Sequence, residues 1–355
     1  MKISIRVIAG IILVNLLLWG CSKNNNSLST LNLKESLNQS SANLNKAVSA
    51  IASTKAYSVF TINDGTTKSV TTTDSVYKVY IPLSKISGVY EYKPVATFDK
   101  WGMSLIKFFN KTSDNSNMIV KLPLTKVQNP RSLRHYSAGD SALTNNFSIS
   151  VSDYHNNYNS YWDYDYLLSS EVTIDGTVAG DLNIKSIISP TAGIDYASQF
   201  AFTESYTAKY KYLSGDTTVS SFTITGNDKV LYEEKRLTIK NDTARFGREH
   251  EYILTIGDVQ IVRKNRADSA KVYVGGVLQP DAVVTIIDKQ SDAEASVCKH
   301  RDIQITFGDG TVTTVSALIG NSIDNIATIF DSLHSVYFAA YIVDWIAYDI
   351  YYERN

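Results

Sequence analysis

Phe200-Ala201-Phe202-Thr203-Glu204-Ser205-Tyr206-Thr207-Ala208-Lys209-Tyr210-Lys211-Tyr212 is the stretch that decides the fold. Phe200, Phe202, Tyr206, Ala208, Tyr210 and Tyr212 occupy even positions, while Thr203, Ser205, Thr207, Lys209 and Lys211 occupy odd ones. Successive side chains of a strand point to opposite faces, so a period of two predicts one long, half-buried antiparallel strand with a wet face. The pattern continues on both sides of Ser214-Gly215-Asp216 and Gly226-Asn227-Asp228, which read as turns. Tyr252, Leu254 and Ile256 repeat it, as do Ile303, Ile305 and Phe307 before Gly308-Asp309-Gly310. Turns at intervals of about ten to fifteen residues predict an antiparallel meander rather than a wound parallel sheet.

Further strands are expected over 57–62, 66–73, 76–81, 89–92, 105–109, 118–122 and 147–151, with a hairpin turn at Asn63-Asp64-Gly65. Between them and the long alternation lies a knot of rings: Tyr154, Tyr158, Tyr161, Trp162, Tyr164 and Tyr166, spaced by Asn and Asp. It reads as a turn-rich segment. Tyr158, Tyr161, Trp162 and Tyr164 are the candidate binding surface, because flat rings stack on sugars or anchor a partner. The bland alternative is that the rings cap the end of a sheet core. Val172-Thr173-Ile174-Asp175-Gly176 and Val272-Tyr273-Val274-Gly275-Gly276 are faintly alike.

Helical periods bracket the strands. Leu33, Leu37, Leu44, Val48 and Ile51 form one stripe over 32–54, an amphipathic helix. Near the other end Ile319, Ile323, Ile326, Phe330 and Leu333 form a second stripe. Residues 336–352 then run almost wholly apolar and aromatic, with Asp344 and Asp349 the charged exceptions. Apolar on nearly every side means buried on nearly every side, so these residues are expected to pack as a helix on the dry face of the sheet. A strand is the competing reading.

The N-terminal end carries an address. Lys2 and Arg6 precede an apolar run from Val7 to Trp19, the length of a signal-peptide core and short for a membrane span. Leu18-Trp19-Gly20-Cys21 resembles the lipobox of bacterial lipoproteins, and that resemblance implies that Cys21 is lipidated and becomes the first residue. Ser and Asn dominate 22–31, a polar stretch that reads as a flexible tether. The layout of lipobox, tether and β-rich body is similar to that of lipoproteins of the Bacteroidota, which implies anchoring in the outer membrane; both its periplasmic and its surface face remain open.

The 355 residues carry 34 basic and 35 acidic side chains. Loss of 1–20 leaves 32 against 35, a net charge of −3. That balance offers no basic stripe for nucleic acid. With Cys21 lipidated, Cys298 has no partner for a disulfide and reads as a small buried hydrophobe. The histidines show no metal-ligand spacing, and Asp163 and Asp165 read as solvated turn acids rather than a calcium site. Neither a metal nor a cofactor is expected.

Three fragments resemble the blocks of GDSL-type esterases: Gly139-Asp140-Ser141, Gly226-Asn227-Asp228 and Asp331-Ser332-Leu333-His334. The resemblance implies Ser141 as nucleophile, His334 as base and Asp331 as its orienting acid. That family needs α/β layers with the serine after an early strand, whereas alternating strands fill the interval here.

The expected fold is mainly β (α+β): a large antiparallel meander sheet, curved or sandwich-like. The expected division is a signal peptide over 1–20, a tether over 21–31, an amphipathic helix over 32–55, a β body over 56–316 in one unit or two, and C-terminal helices over 317–355. The expected function is a membrane-anchored, non-catalytic binding or structural protein of the cell envelope, held by its N-terminal lipid and meeting a glycan, lipid or protein ligand. A cradle for an apolar ligand such as a lipid is the alternative. An esterase is the remote one.

Overall fold

The computed structural model describes residues 32–60, 78–93, 105–128, 133, 142–203, 205–244, 247–265, 268–288 and 301–354. The lipobox with Cys21, the tether, the turn at Asn63-Asp64-Gly65, the strand over 66–73, Ser141 and Cys298 lie outside them.

Helix α1 spans Leu33–Ser53 and buries all five residues of its predicted stripe. The strand expected over 57–62 is instead a helical turn, α2 (Tyr57–Phe60). Thr54 explains the difference: its Oγ1 accepts the Tyr57 N–H at 3.2 Å, the bond that starts a helix. Strand β1 (Val79–Pro82), helix α3 (Leu83–Ile86) and strand β2 (Gly88–Tyr92) follow. Leu105–Phe108 is a 3-10 turn rather than the start of a strand, leading into β3 (Phe109–Ser113). Then come β4 (Met118–Leu122) and the short helix α4 (Leu124–Gln128).

The long strands are β5 (Phe147–Ser160), β6 (Asp163–Ile174), β7 (Thr177–Ser189), β8 (Gly193–Phe202), β9 (Tyr206–Ser214), β10 (Thr217–Gly226), β11 (Lys229–Lys240) and β12 (Arg248–Ile256). Shorter ones close the series: β13 (Val259–Lys264), β14 (Lys271–Val274) and β15 (Val277–Leu278). From β4 to β15 each strand pairs antiparallel with the next, and β2 joins β4 in parallel. The large sheet has 15 strands and stays open, with β3 and β15 at its edges. A second sheet of three strands is made of β16 (Val283–Asp288), β17 (Arg301–Thr306) and β18 (Val312–Thr314). Helix α5 (Val315–Ile319) and the 33-residue helix α6 (Ser322–Arg354) complete the chain.

The stretch 200–212 is two strands, not one. Ser205, at φ +61°, turns the chain between β8 and β9. Phe200 pairs with Ala208 and Ala201 with Thr207. Each pair joins residues of equal parity, so the even positions face inward on both strands and the period of two runs through the turn. Tight turns elsewhere use residues that tolerate positive φ: Asn227 and Asp228 at +48° and +61°, and Gly275 and Gly276 at +55° and +81°.

Register arranges the inner face into rows that run sideways across the strands. One row is Val151, Ser170, Leu182, Phe200, Ala208, Ile224, Tyr232, Ile256, Val259 and Val274, and every member is buried. The second row outward includes Tyr154, Leu168, Ile184, Ser198, Tyr210, Phe222, Glu234 and Leu254. The third is Asn156, Tyr166, Ser186, Tyr196, Tyr212, Ser220, Arg236, Tyr252 and Arg263. Polarity rises from row to row.

Helix α6 runs along these rows, across the strands. Its Phe330 ring lies 5.3 Å from that of Phe222 on β10, and Asp344 accepts a bond from Tyr154 on β5. Fourteen helical residues advance roughly 21 Å. Five strand spacings cover roughly 24 Å. The helix therefore runs nearly at right angles to the strands. Ala340, Ile342, Val343, Ile346, Ala347 and Ile350 are buried, whereas Trp345, Tyr348 and Tyr351 are partly buried and Tyr352 is exposed, so among its described side chains this segment buries one face rather than nearly every side. Gly320, at φ +56°, separates α5 from α6 and divides what looks like one stripe in the sequence.

Row position sets the cost of a substitution. Phe200→Ala, in the first row, should destabilise the fold by roughly 3–5 kcal/mol. Tyr212→Ala, two rows outward and half-buried, should cost about 1 kcal/mol. Urea midpoints of the two variants measure this, and equal losses would contradict the gradient.

Candidate functional site

The aromatic knot forms the β5–β6 hairpin, and the structure divides it. Extra residues at two bulges, between Val151 and Asp153 and between Tyr158 and Ser160, reset which side chains face inward. Tyr154, Tyr158, Tyr164 and Tyr166 turn to the inner face, where Tyr164 stacks on Tyr166 at 6.1 Å. Tyr161 and Trp162 occupy the tip, 65% and 66% exposed, in an edge-to-face pair at 4.9 Å. The four residues of the candidate surface are thus two exposed rings and two rings packed against the core.

Beneath the hairpin lies a buried polar cluster. The hydroxyls of Tyr154 and Tyr166 both donate to Asp344 Oδ1, at 3.0 and 3.1 Å. Burial pushes the Asp344 carboxyl up to about 7, although the two hydroxyls pull the other way. Burial and the nearby Asp344 push the Tyr348 hydroxyl up to about 12. Asn156, also buried, completes the cluster. Its part is structural: Asp344 gives an otherwise apolar helix one fixed attachment to β5 and β6.

A second site lies toward the other end of α6. A cavity of about 540 Å³ opens between the sheet and the first turns of that helix. Its floor is the register rows at β10 to β13, with Phe222, Tyr232 and Leu254 deepest and Arg236, Tyr252 and Arg263 outermost. Its roof is Ile319, Ile323, Ile326, Ala327 and Phe330, and Ile286 and Ile303 of the small sheet form a wall. The gap lies under residues 319–330, while Ala340, Ile346 and Ala347 further along α6 are buried.

The polar groups of the cavity are held in place. Glu234 Oε1 accepts the Tyr232 hydroxyl at 2.6 Å. Asp302 is committed to α5: it accepts the Ser316 backbone N–H at 3.2 Å and the Ser316 hydroxyl. The Arg236 guanidinium sits 6.0 Å from the centre of the Tyr252 ring. Arg263 Nε donates to the Asp268 carbonyl at 3.2 Å. Burial first, and Glu234 second, hold the Tyr232 and Tyr252 hydroxyls above their ordinary range, so both remain donors. The sequence displays this site poorly: its floor comes from four strands and its roof from two helices that follow only after the small sheet.

Of the three esterase-like blocks, Gly139-Asp140-Ser141 lies outside the described residues. Gly226-Asn227-Asp228 is the β10–β11 turn, and Asp331 is exposed on α6. The sheet is an antiparallel meander without α/β layers. Among the described residues no group of three or more His, Cys, Asp or Glu side chains is placed to hold a metal. No described helix is long and apolar enough to cross a membrane.

The raised Asp344 carboxyl has a consequence in pH. The folded chain holds this proton more tightly than the unfolded chain, whose carboxyl titrates near ~4. Stability contributed by the group should fall as pH climbs from about 4 to about 7 and then level off. Asp344→Asn keeps an acceptor for the tyrosines and removes the proton. Its Tm relative to wild type should therefore rise across that window, and a constant difference would refute the assignment.

No protein-family model, no curated protein and no solved structure matches this chain.

Proposed function

We propose that this chain is a lipid-anchored, non-catalytic binding protein of the cell envelope, and that it holds an apolar ligand in the cavity between β10–β13 and the first turns of α6. The observation that carries the reading is the cavity. Its volume of about 540 Å³ falls within the roughly 300–1,000 Å³ of small-molecule sites, and such sites combine apolar walls with a few fixed polar groups. Elsewhere α6 is packed closely, through Ala340, Ile346 and Ala347 among others. The anchoring part rests on Leu18-Trp19-Gly20-Cys21 and the polar residues after it. The exposed pair Tyr161 and Trp162 supports a separate contact with a glycan or protein surface at the hairpin tip.

Two measurements test the proposal. Cys21→Ser should remove the acyl mass from the mature N-terminal peptide and move the protein from the membrane to the soluble fraction; an unmodified wild-type peptide would refute anchoring by this residue. Neutral N-phenyl-1-naphthylamine should brighten on binding the Cys21→Ser chain. Ala327→Trp places a ring in the cavity and should weaken that binding at least tenfold without lowering Tm. Equal binding by both proteins would place the dye elsewhere and remove the support.

A further inference from the structure

Resting on the reading of the hairpin tip as a separate contact, we infer that its partner is a neutral glycan chain, which stacks on Tyr161 and Trp162 and runs over the outer face of β1, β5 and β6 toward Tyr80. The first observation is the ring pair. Tyr161 and Trp162 are the two turn residues between Ser160 and Asp163, and both are exposed. Their planes stand at 87°, so a flat ligand laid on one ring meets the edge of the other. The Trp162 backbone N–H donates to Ser160 Oγ at 3.3 Å, which holds the turn.

The second observation is a further exposed ring on the strands below. Tyr80 on β1, 57% exposed, pairs with Asn157 on β5, and Asn157 pairs with Asp165 on β6. Cross-strand partners share a face. Asn157 and Asp165 alternate with the inward Tyr158, Tyr164 and Tyr166, so all three partners lie on the outer face. Two strand spacings and three residues along the strand set Tyr80 roughly 14 Å from Trp162, a span for several sugar rings. Asn157 and Asp165 lie between the two, partly exposed, with an amide and a carboxylate for hydroxyl groups. His155 Nε2, 3.1 Å from Asp165 Oδ1, positions that carboxylate.

Charge and area select the class of partner. Strands β5 and β6 carry Asp153, Asp163, Asp165 and Glu171 and neither Lys nor Arg. Lys78, just before β1, brings one cation near the tip, where Asp163 and Asp165 outnumber it. An anionic bilayer or a polyanionic glycan is therefore repelled. Three rings at roughly 150–250 Å² each stay below the roughly 800 Å² per partner of a stable protein interface. A sugar ring needs far less: its C–H face lies on an aromatic ring, and its hydroxyls bond the acid and the amide beside it.

Isothermal titration of the whole chain carrying Cys21→Ser tests this. The neutral probes are cellohexaose, laminarihexaose, maltohexaose and chitohexaose, and hexagalacturonate is the anionic one. At least one neutral hexasaccharide should bind, tenfold or more tightly than hexagalacturonate. Trp162→Ala and Tyr80→Ala should each weaken that binding at least tenfold, while the urea midpoint and the dye binding of the cavity stay unchanged. The loss at Tyr80 is the one that a contact confined to the turn would not show. Failure of all four neutral probes overturns the glycan and leaves the tip to a protein surface. Tighter binding of hexagalacturonate, or binding that survives either substitution, overturns it as well. The cavity is read separately by the dye, and none of these outcomes touches it.

Discussion

The fold depends on how one very wide sheet keeps its inner face dry. A sheet of 15 strands that does not close presents a continuous apolar surface. Sheets that pack in pairs bury such a surface by interleaving two inner faces. Among the described residues the other sheet has three strands, so helices do most of the covering. A helix laid along the strands would cover two or three of them. Laid across them, α6 covers a lateral row instead, and its 33 residues are the length that this task demands. Burial is therefore graded across the rows, from a first row hidden along ten strands to a third row that is half-open from β7 onward.

A helix that is apolar on most sides fits against a sheet in many rotations and registers. Asp344 reduces that freedom. A carboxylate beneath the helix requires donors, and the Tyr154 and Tyr166 hydroxyls supply them. Asp349 adds a second tie by accepting the Ile106 N–H at 2.9 Å. Burying a polar group is costly unless it is bonded, so any rotation that separates Asp344 from the tyrosines is disfavoured. The same cost pushes the Asp344 carboxyl above its ordinary range. The cluster trades stability for a unique placement of the helix.

These relations explain what the sequence displays and what it conceals. Alternation along one strand identifies the face, and the five-residue stripe of α1 identifies a helix, because each depends on residues close in the chain. The stretch 200–212 conceals its turn because the parity of facing residues is the same on both sides of it. The aromatic knot misleads for the opposite reason: two bulges shift parity, so neighbouring rings part company, Tyr158 and Tyr164 inward and Tyr161 and Trp162 to the tip. Tyr57 begins a helical turn because one threonine hydroxyl caps it, a choice that local β propensity cannot anticipate. The lateral rows need the register of every hairpin at once, and the cavity is built from rows.

The position of the cavity follows from geometry. Neighbouring strands rotate by roughly 20°, so a wide sheet turns away from any straight rod laid across it. Helix α6 is held to β5 and β6 through Asp344 and to β9 and β10 through Phe330, against Tyr210 and Phe222. Past that point β11 to β13 can follow the sheet's rotation only by leaving the helix. Helix α1 packs on those same three strands and takes over part of the cover. What remains open is the wedge between the first turns of α6 and the second and third rows. Its apolar depth and its arginine rim are thus the local composition of rows that elsewhere lie beneath the helix. The cavity arises where a straight element stops matching a twisted one.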